Sequence, residues 1–294
     1  MLADLEVVRP TTLAQAFGLL SLSAQDGEPL RPMAGCTDLM VDAHFGKPMP
    51  KRLMDLSGLG KDLKKIEWFP GDNADVGLRL GALCTYAQAL AEPILHRDLS
   101  LLAQASAVVG ATQIQARGTF AGNVENASPA ADGVPALMAL DAVIVLQSAA
   151  GQRRVALDHY YSGYRQTVRR SDELIVALEI PSQSIGKPGQ WWRKVGTRSY
   201  QAITKVGLAA VLPRKDGQLS DVRVVAVAMA PSILRCQHVE QFLTARAQAQ
   251  ISLDQLRAEI AKDLKPIDDI RSKATYRAEV FARLLEQALR QTAP

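Results

Sequence analysis

Apolar and polar positions divide the chain into three successive stretches. Residues 6–9 read as a short strand, and Thr12 with Gln15 forms a T-x-x-Q capping box. Leu13, Ala16, Phe17 and Leu20 follow at helical spacing. A strand around Arg31-Pro32-Met33 runs into Ala34-Gly35-Cys36-Thr37-Asp38, and Leu53-Met54-Asp55-Leu56 is another short strand. Together these predict a compact β-α-β lobe, punctuated at residues 57–60. Ile66-Glu67-Trp68 and Leu78-Arg79-Leu80 open a second lobe as strands. Thr85 and Gln88 form another capping box, starting a helix through Leu90. Leu99, Leu102, Ala103, Ser106 and Val109 space a further helix, which Gly110 is placed to stop. Residues 118–133 read as a loop rich in Gly, Asn, Ser and Pro, and residues 142–146 as a buried strand that turns at Gly151.

A boundary is expected across residues 181–189. Beyond it, residues 191–195, 206–212 and 222–229 read as strands, with a hairpin turn at Asp216-Gly217 between the last two. Ser252 with Gln255 caps a helix carrying Leu253, Leu256 and Ile260, and a last helix runs from about Tyr276 through Leu289. Strands followed by helices make an α+β pattern. No internal repeat or low-complexity linker interrupts it.

The length of 294 residues suits two or three domains. No apolar run approaches the roughly 20 residues that span a bilayer. Residues 1–10 include Asp4 and Glu6 and lack the basic-then-apolar pattern of a secretory signal, so a cytoplasmic location is expected. The net charge of +4 is mild, and no dense basic stripe with stacking aromatics suggests nucleic acid. Cys36, Cys84 and Cys236 lie far apart with no C-x-x-C, and three cysteines are too few for an iron–sulfur cluster. His44, His96, His159 and His238 are scattered, so no metal site is expected. P-loop, complete G-x-G-x-x-G and G-x-S-x-G motifs are missing, which disfavours those nucleotide and hydrolase chemistries.

Two segments carry candidate chemistry. In Met33-Ala34-Gly35-Cys36-Thr37-Asp38-Leu39 a strand enters a turn of small residues, a hydroxyl and an acid. Gly35 is free to take positive φ, and successive N–H groups in such a turn form an anion-binding concavity. An ordinary strand–turn–helix junction is the alternative. The second segment runs Thr119-Phe120-Ala121-Gly122-Asn123-Val124-Glu125-Asn126-Ala127-Ser128-Pro129-Ala130-Ala131-Asp132. It is too polar for core and too rich in Ala and Val for a linker. It offers hydrogen bonds to a phosphate, a ribose or a flavin edge, or forms a compact Ω-type loop.

Together the two segments resemble the FAD-binding subunit of the xanthine dehydrogenase and carbon monoxide dehydrogenase family of molybdenum hydroxylases. That family reads roughly A-G-G-T-D and T-I-G-G-N followed by A-S-P-x-x-D. Here Ala34-Gly35-Cys36-Thr37-Asp38 and Thr119-Phe120-Ala121-Gly122-Asn123, followed by Ala127-Ser128-Pro129-Ala130-Ala131-Asp132, stand in the same order. Leu80-Gly81-Ala82, Ser162-Gly163-Tyr164-Arg165, Glu179-Ile180-Pro181, Lys194-Val195-Gly196-Thr197-Arg198 and Ala202-Ile203-Thr204-Lys205-Val206 extend the likeness over almost the whole chain. Cys36 and Ala121 depart from the family's glycines, and no cysteine-rich insertion is present.

The resemblance implies a two-lobed FAD-binding domain, with a small β-α-β lobe at 1–57 and a larger mixed lobe at 58–178. A C-terminal α+β domain at 179–294 would carry a three-stranded antiparallel sheet and helices. Pro32, Met33, Ala34, Gly35, Cys36, Thr37, Asp38 and Leu39, with Thr119, Phe120, Ala121, Gly122 and Asn123, would wrap the pyrophosphate. Asp132 would bond the cofactor's sugar or ribityl portion. Lys205 would stand near the flavin ring, favouring its reduced, anionic form.

No residue of this chain is expected to catalyse hydroxylation. Molybdopterin and 2Fe–2S clusters would sit on a large and a small partner subunit, in a heterotrimer or a dimer of heterotrimers. The flavin would take electrons from those clusters and pass them to an external acceptor. The segment from Lys194 to Lys205 looks most like relatives acting on purines and other N-heterocycles. Two other functions compete: a free-standing FAD oxidase of the vanillyl-alcohol type, and an assembly subunit without FAD.

Overall fold

The computed structural model describes residues 5–70 and 76–293. Within them, three larger sheets follow one another along the chain, beside two small two-stranded ones. In the first, strand Arg52–Asp55 lies between Glu6–Val8 and Leu30–Met33 and runs parallel to both. Helices Leu13–Asp26 and Thr37–His44 make the crossovers. Thr12 Oγ1 accepts from Gln15 N at 3.2 Å, and Gly27 ends the first helix in the left-handed region. The Gln15 side chain reaches Thr11 rather than Thr12, so that expected capping box is only half formed. Ala16, Phe17 and Leu20 join a core shared with the second lobe. The Thr37–His44 helix was not expected from periodicity. Leu39 is its buried residue while Met40 and Val41 are half exposed, so it shows no apolar stripe.

The second sheet is antiparallel, in the order Ile66–Pro70, Val76–Gly81, Leu174–Ile180, Val143–Ser148, Gly151–Ala156. Its central strand, Leu174–Ile180, was missed in the sequence. All seven residues are buried, so the period-two alternation that marks a half-exposed strand is absent. Buried Glu179 is held by Arg79 at 2.8 Å and Arg154 at 2.9 Å. The expected domain break at 178/179 falls inside this strand, and the one at 57/58 falls inside the short 3-10 helix Leu56–Leu59.

The segment read as a loop at 118–133 is partly helical. Thr119 caps the helix Phe120–Glu125 by accepting from Gly122 N at 3.0 Å, and Phe120, Ala121 and Val124 form its buried side. The helix Gly133–Ala139 follows, buried along its whole length.

The third sheet has four antiparallel strands where three were expected. They are Gln190–Val195, Val206–Val211, Arg223–Val227 and the two-residue Leu234–Arg235. Asp216 and Gly217 both take positive φ, 53° and 78°, as a type I′ hairpin turn requires. One face of this sheet, with Val206, Leu208, Ala210, Val224 and Ala226, packs under the helices Gln237–Leu243, Leu253–Asp263 and Ala274–Gln291. The other face, with Trp192, Ala209, Val211, Val225 and Val227, joins the core of the first two lobes.

The buried helix Gly133–Ala139 lies between that face and the second lobe, and carboxylates flank both its ends. Asp132 accepts from Lys194 Nζ at 2.5 Å and from Thr204 Oγ1 at 2.6 Å. Asp141 accepts from Arg223 Nε at 2.9 Å and from Arg235 at 3.1 Å. Asp132 suits the positive end of the helix dipole; Asp141 opposes it at the other end, and the two arginines compensate. Among the described residues, no helix is long and apolar enough to cross a membrane, and no group of three or more His, Cys, Asp or Glu is placed to hold a metal ion.

Candidate functional site

A cleft opens between the first and second lobes, where the Leu30–Met33 strand runs into the Thr37–His44 helix. Its opposite wall is the turn and helix beginning at Gly118. All of residues 32–39 line it, as do Thr119, Ala121, Gly122 and Asn123. The two segments singled out in the sequence thus face each other across one cavity. Phe120 lies beneath it in the core, 1 % exposed, with its ring 4.4 Å from that of Tyr86.

The lobes touch at Gly35. A Cβ there would sit 1.9 Å from the Arg117 carbonyl oxygen, and Arg117 Nε donates to the Gly35 carbonyl at 3.3 Å. The glycine is needed for this backbone approach and not, as expected, for positive φ. The left-handed residue is the neighbouring Cys36, with φ 64°, which precedes the Thr37–His44 helix without a side-chain cap. Gly122 is also not left-handed, because it lies inside the Phe120–Glu125 helix. A Cβ on it would meet the Thr119 hydroxyl at 2.9 Å and otherwise open space in the cleft.

Polar groups in the cleft divide into satisfied and unsatisfied ones. Glu125 accepts from Tyr160 Oη at 2.6 Å and from Arg169 Nε at 2.7 Å, so it is fully engaged. Tyr86 Oη and Asn123 Oδ1 are buried without a partner. Both crowd the same spot, the bare Cα of Gly133: a Cβ there would lie 2.6 Å from the Tyr86 hydroxyl and 3.2 Å from Asn123 Oδ1. Burial drives the Tyr86 pKa well above its ordinary value, and the nearby Asp132 and Asp38 carboxylates add to this. The hydroxyl therefore stays protonated and able to donate. An unmade hydrogen bond in a buried place costs about 1–3 kcal/mol, and both atoms lie behind the cleft wall, against Gly133, which does not line it.

Two expected site residues stand elsewhere. Asp132 does not line the cleft, and both its oxygens are taken by Lys194 and Thr204. Burial raises its pKa, against the pull of those two partners. Lys205 also lies outside the lining, its backbone N–H bonded to the Val195 carbonyl at 2.9 Å. Glu125 and Asn126 of the second segment also line the cleft, and Arg31, Tyr86, Arg169, Leu174 and Ile175 line it without a signal in the sequence. Arg31 adjoins the first segment in sequence. Tyr86 and Leu174 reach the site only through the fold and left no local signal.

The profile of the family described as "FAD binding domain in molybdopterin dehydrogenase" matches residues 3–183. The chain belongs to the FAD-binding family of the molybdopterin dehydrogenases. This FAD-binding subunit also matches the "CO dehydrogenase flavoprotein C-terminal domain" over residues 191–292. It is 26% identical to the xanthine dehydrogenase FAD-binding subunit of Escherichia coli O157:H7 over 281 residues, 96% of this chain and 93% of that one. With the nicotinate dehydrogenase FAD-subunit of Eubacterium barkeri it shares 30% identity over 207 residues, 69% of this chain and 67% of that one. The crystal structure of a Cu,Mo-CO dehydrogenase contains a chain of the same fold, with a TM-score of 0.87 and 25% identity, covering 98% of this chain and 97% of that one. The family resemblance read from the two segments is thereby borne out, and the FAD-binding subunit is a component of an oxidoreductase.

Proposed function

We propose that the chain holds one FAD in the cleft between its first two lobes, as the cytoplasmic electron-transfer subunit of a heterotrimeric molybdenum hydroxylase. The observation that carries the placement is the single cavity walled by both family segments, residues 32–39 on one side and Thr119, Ala121, Gly122 and Asn123 on the other. The first amides of the Thr37–His44 helix and the bare Cα of Gly122 leave room for a diphosphate. Bound there, FAD supplies two-electron acceptance and release between the 2Fe–2S clusters of a small partner and an external acceptor. The large partner carries molybdopterin and binds the substrate, a purine or other N-heterocycle, a class supported by the xanthine and nicotinate dehydrogenase relatives. Three free thiols, two of them fully buried, suit a reducing compartment.

The purified chain is expected to take up one FAD, read as flavin absorbance after gel filtration. Gly122→Val is expected to remain folded by circular dichroism and to lose affinity on the order of 100-fold, because its side chain crowds the Thr119 cap and projects into the cleft. A chain that stays colourless with added FAD sinks the reading; a variant that binds as well as the parent removes Gly122 from the site.

A further inference from the structure

We propose that Arg169 is the cation that faces the flavin ring of bound FAD, and that it favours the ring's reduced, negatively charged form. The inference rests on the FAD placement above. Arg169 lines the cleft, whereas Lys205 lies outside it. The Arg169 side chain is 18% exposed and is fixed by three hydrogen bonds. Nε donates to Glu125 Oε1 at 2.7 Å, and Nη1 donates to the carbonyls of Arg170 at 2.9 Å and Glu173 at 2.8 Å. Behind this pair, the Tyr160 hydroxyl donates to the second Glu125 oxygen at 2.6 Å. Tyr160 is fully buried, and burial together with the Glu125 charge keeps its hydroxyl protonated. Among the described residues, Nη2 is the guanidinium nitrogen of Arg169 left without a hydrogen bond. Arg31 lines the same cleft, but it is exposed and no hydrogen bond fixes its side chain among the described residues.

Chemistry decides which half of the cofactor meets Arg169. The diphosphate is placed between the first amides of the Thr37–His44 helix and Gly122. Glu125 follows Gly122 by about one turn of the same helix, so the Glu125–Arg169 pair stands next along that wall. Arg169 Nη1 is bonded to the carbonyl just ahead of Leu174, and Leu174 and Ile175 give the cleft an apolar wall there. A flat ring seated on that wall meets the guanidinium at its edge. Guanidinium nitrogens donate and never accept. The adenine edge presents an amino donor, whereas the pyrimidine edge of the flavin presents carbonyl acceptors, so Arg169 matches the flavin. Reduction by two electrons and one proton leaves negative charge on that edge. A donor already fixed in place then holds the reduced ring more tightly than the oxidised one, with no rearrangement. Glu125 and Tyr160 are positioning residues: they hold the guanidinium, and the Glu125 charge weakens its field.

The test measures the reduction potential of FAD bound to the full chain, by equilibration with a reference dye, and FAD affinity by fluorescence quenching. Arg169→Met should shift the reduction equilibrium ~10-fold toward the oxidised form, a fall of about 30 mV for a two-electron couple. By linkage, its preference for reduced over oxidised FAD drops by the same factor. Arg169→Lys keeps the charge and should recover most of that shift. Glu125→Gln removes the opposing charge and should move the potential upward. A merely structural role would not send the two neutralising variants in opposite directions. Lys205→Met, outside the cleft, should leave the potential where it is. An unchanged potential in Arg169→Met, a fall in Glu125→Gln, or a larger shift in Lys205→Met than in Arg169→Met overturns the inference while leaving the FAD site standing. If Arg169→Met retains no FAD, Glu125→Gln decides: a raised potential supports the inference, and an unchanged or lowered one overturns it. Failure of the parent chain to bind FAD overturns both.

Discussion

Gly35→Ala is expected to force the first two lobes apart and to weaken FAD binding on the order of 100-fold. The added methyl would lie 1.9 Å from the Arg117 carbonyl oxygen, a backbone atom that cannot swing aside as a flexible side chain would. Overpacking of this kind costs about 1–3 kcal/mol, and relief comes only by separating the Gly35 turn from the Arg117–Gly118 turn. That movement widens the cleft where both walls must reach one ligand, and catalytic or binding geometry is sensitive to displacements of about 1 Å. Thermal unfolding and FAD titration of the same preparation check both effects. If melting temperature and affinity both match the parent, the two lobes do not meet at Gly35 in solution.

Asp132→Ala is expected to destabilise the protein by about 3–5 kcal/mol, because it strands a buried cation. The Lys194 side chain is only 8% exposed and Asp132 accepts its charge directly, with the Thr204 hydroxyl on the other oxygen. Adding Lys194→Met to Asp132→Ala should recover a large part of the loss, since no charge is then left without a partner. Urea unfolding of the parent, both single variants and the double variant gives the coupling energy. Strictly additive losses would mean that the pair does not form.

Local chemistry was the legible part of the sequence. Thr85 with Gln88 and Ser252 with Gln255 form full capping boxes, and Asp216-Gly217 makes the turn its dipeptide demands. These features depend on neighbours within four residues, which is the range a sequence displays directly. The Leu174–Ile180 strand was hidden for the opposite reason. Burial of both faces removes the polar positions from which a strand is recognised, and Glu179 near its end is held inside by two arginines. The helix Phe120–Glu125 was read as loop because its glycine and asparagine oppose helix formation, while the Thr119 cap and the burial of Phe120 and Val124 outweigh them.

The site was legible in the same uneven way. Both segments could be named, and the fold brings them face to face, but the reason Gly35 is glycine was legible only from the position of Arg117, 82 residues away. Tyr86 was beyond reach, since nothing near it in sequence signals a hydroxyl left without a partner. Asp132 ends a family-like motif, yet the structure commits its carboxylate to Lys194 and Thr204, which come 62 and 72 residues later.

The sheet built from Gln190–Val195, Val206–Val211, Arg223–Val227 and Leu234–Arg235 has no outward side: Trp191, Leu208 and Val224 serve one core while Trp192, Ala209 and Val225 serve the other. The two family segments, 3–183 and 191–292, are therefore separable in ancestry but not in mechanics. A chain cut after Ser184 would bare the apolar wall that Trp192, Val211, Val225 and Val227 now cover, and would gather into aggregates sooner than fold as a smaller flavoprotein. Heat should accordingly melt the intact chain in one step, because neither half can give way without opening the other's interior to water.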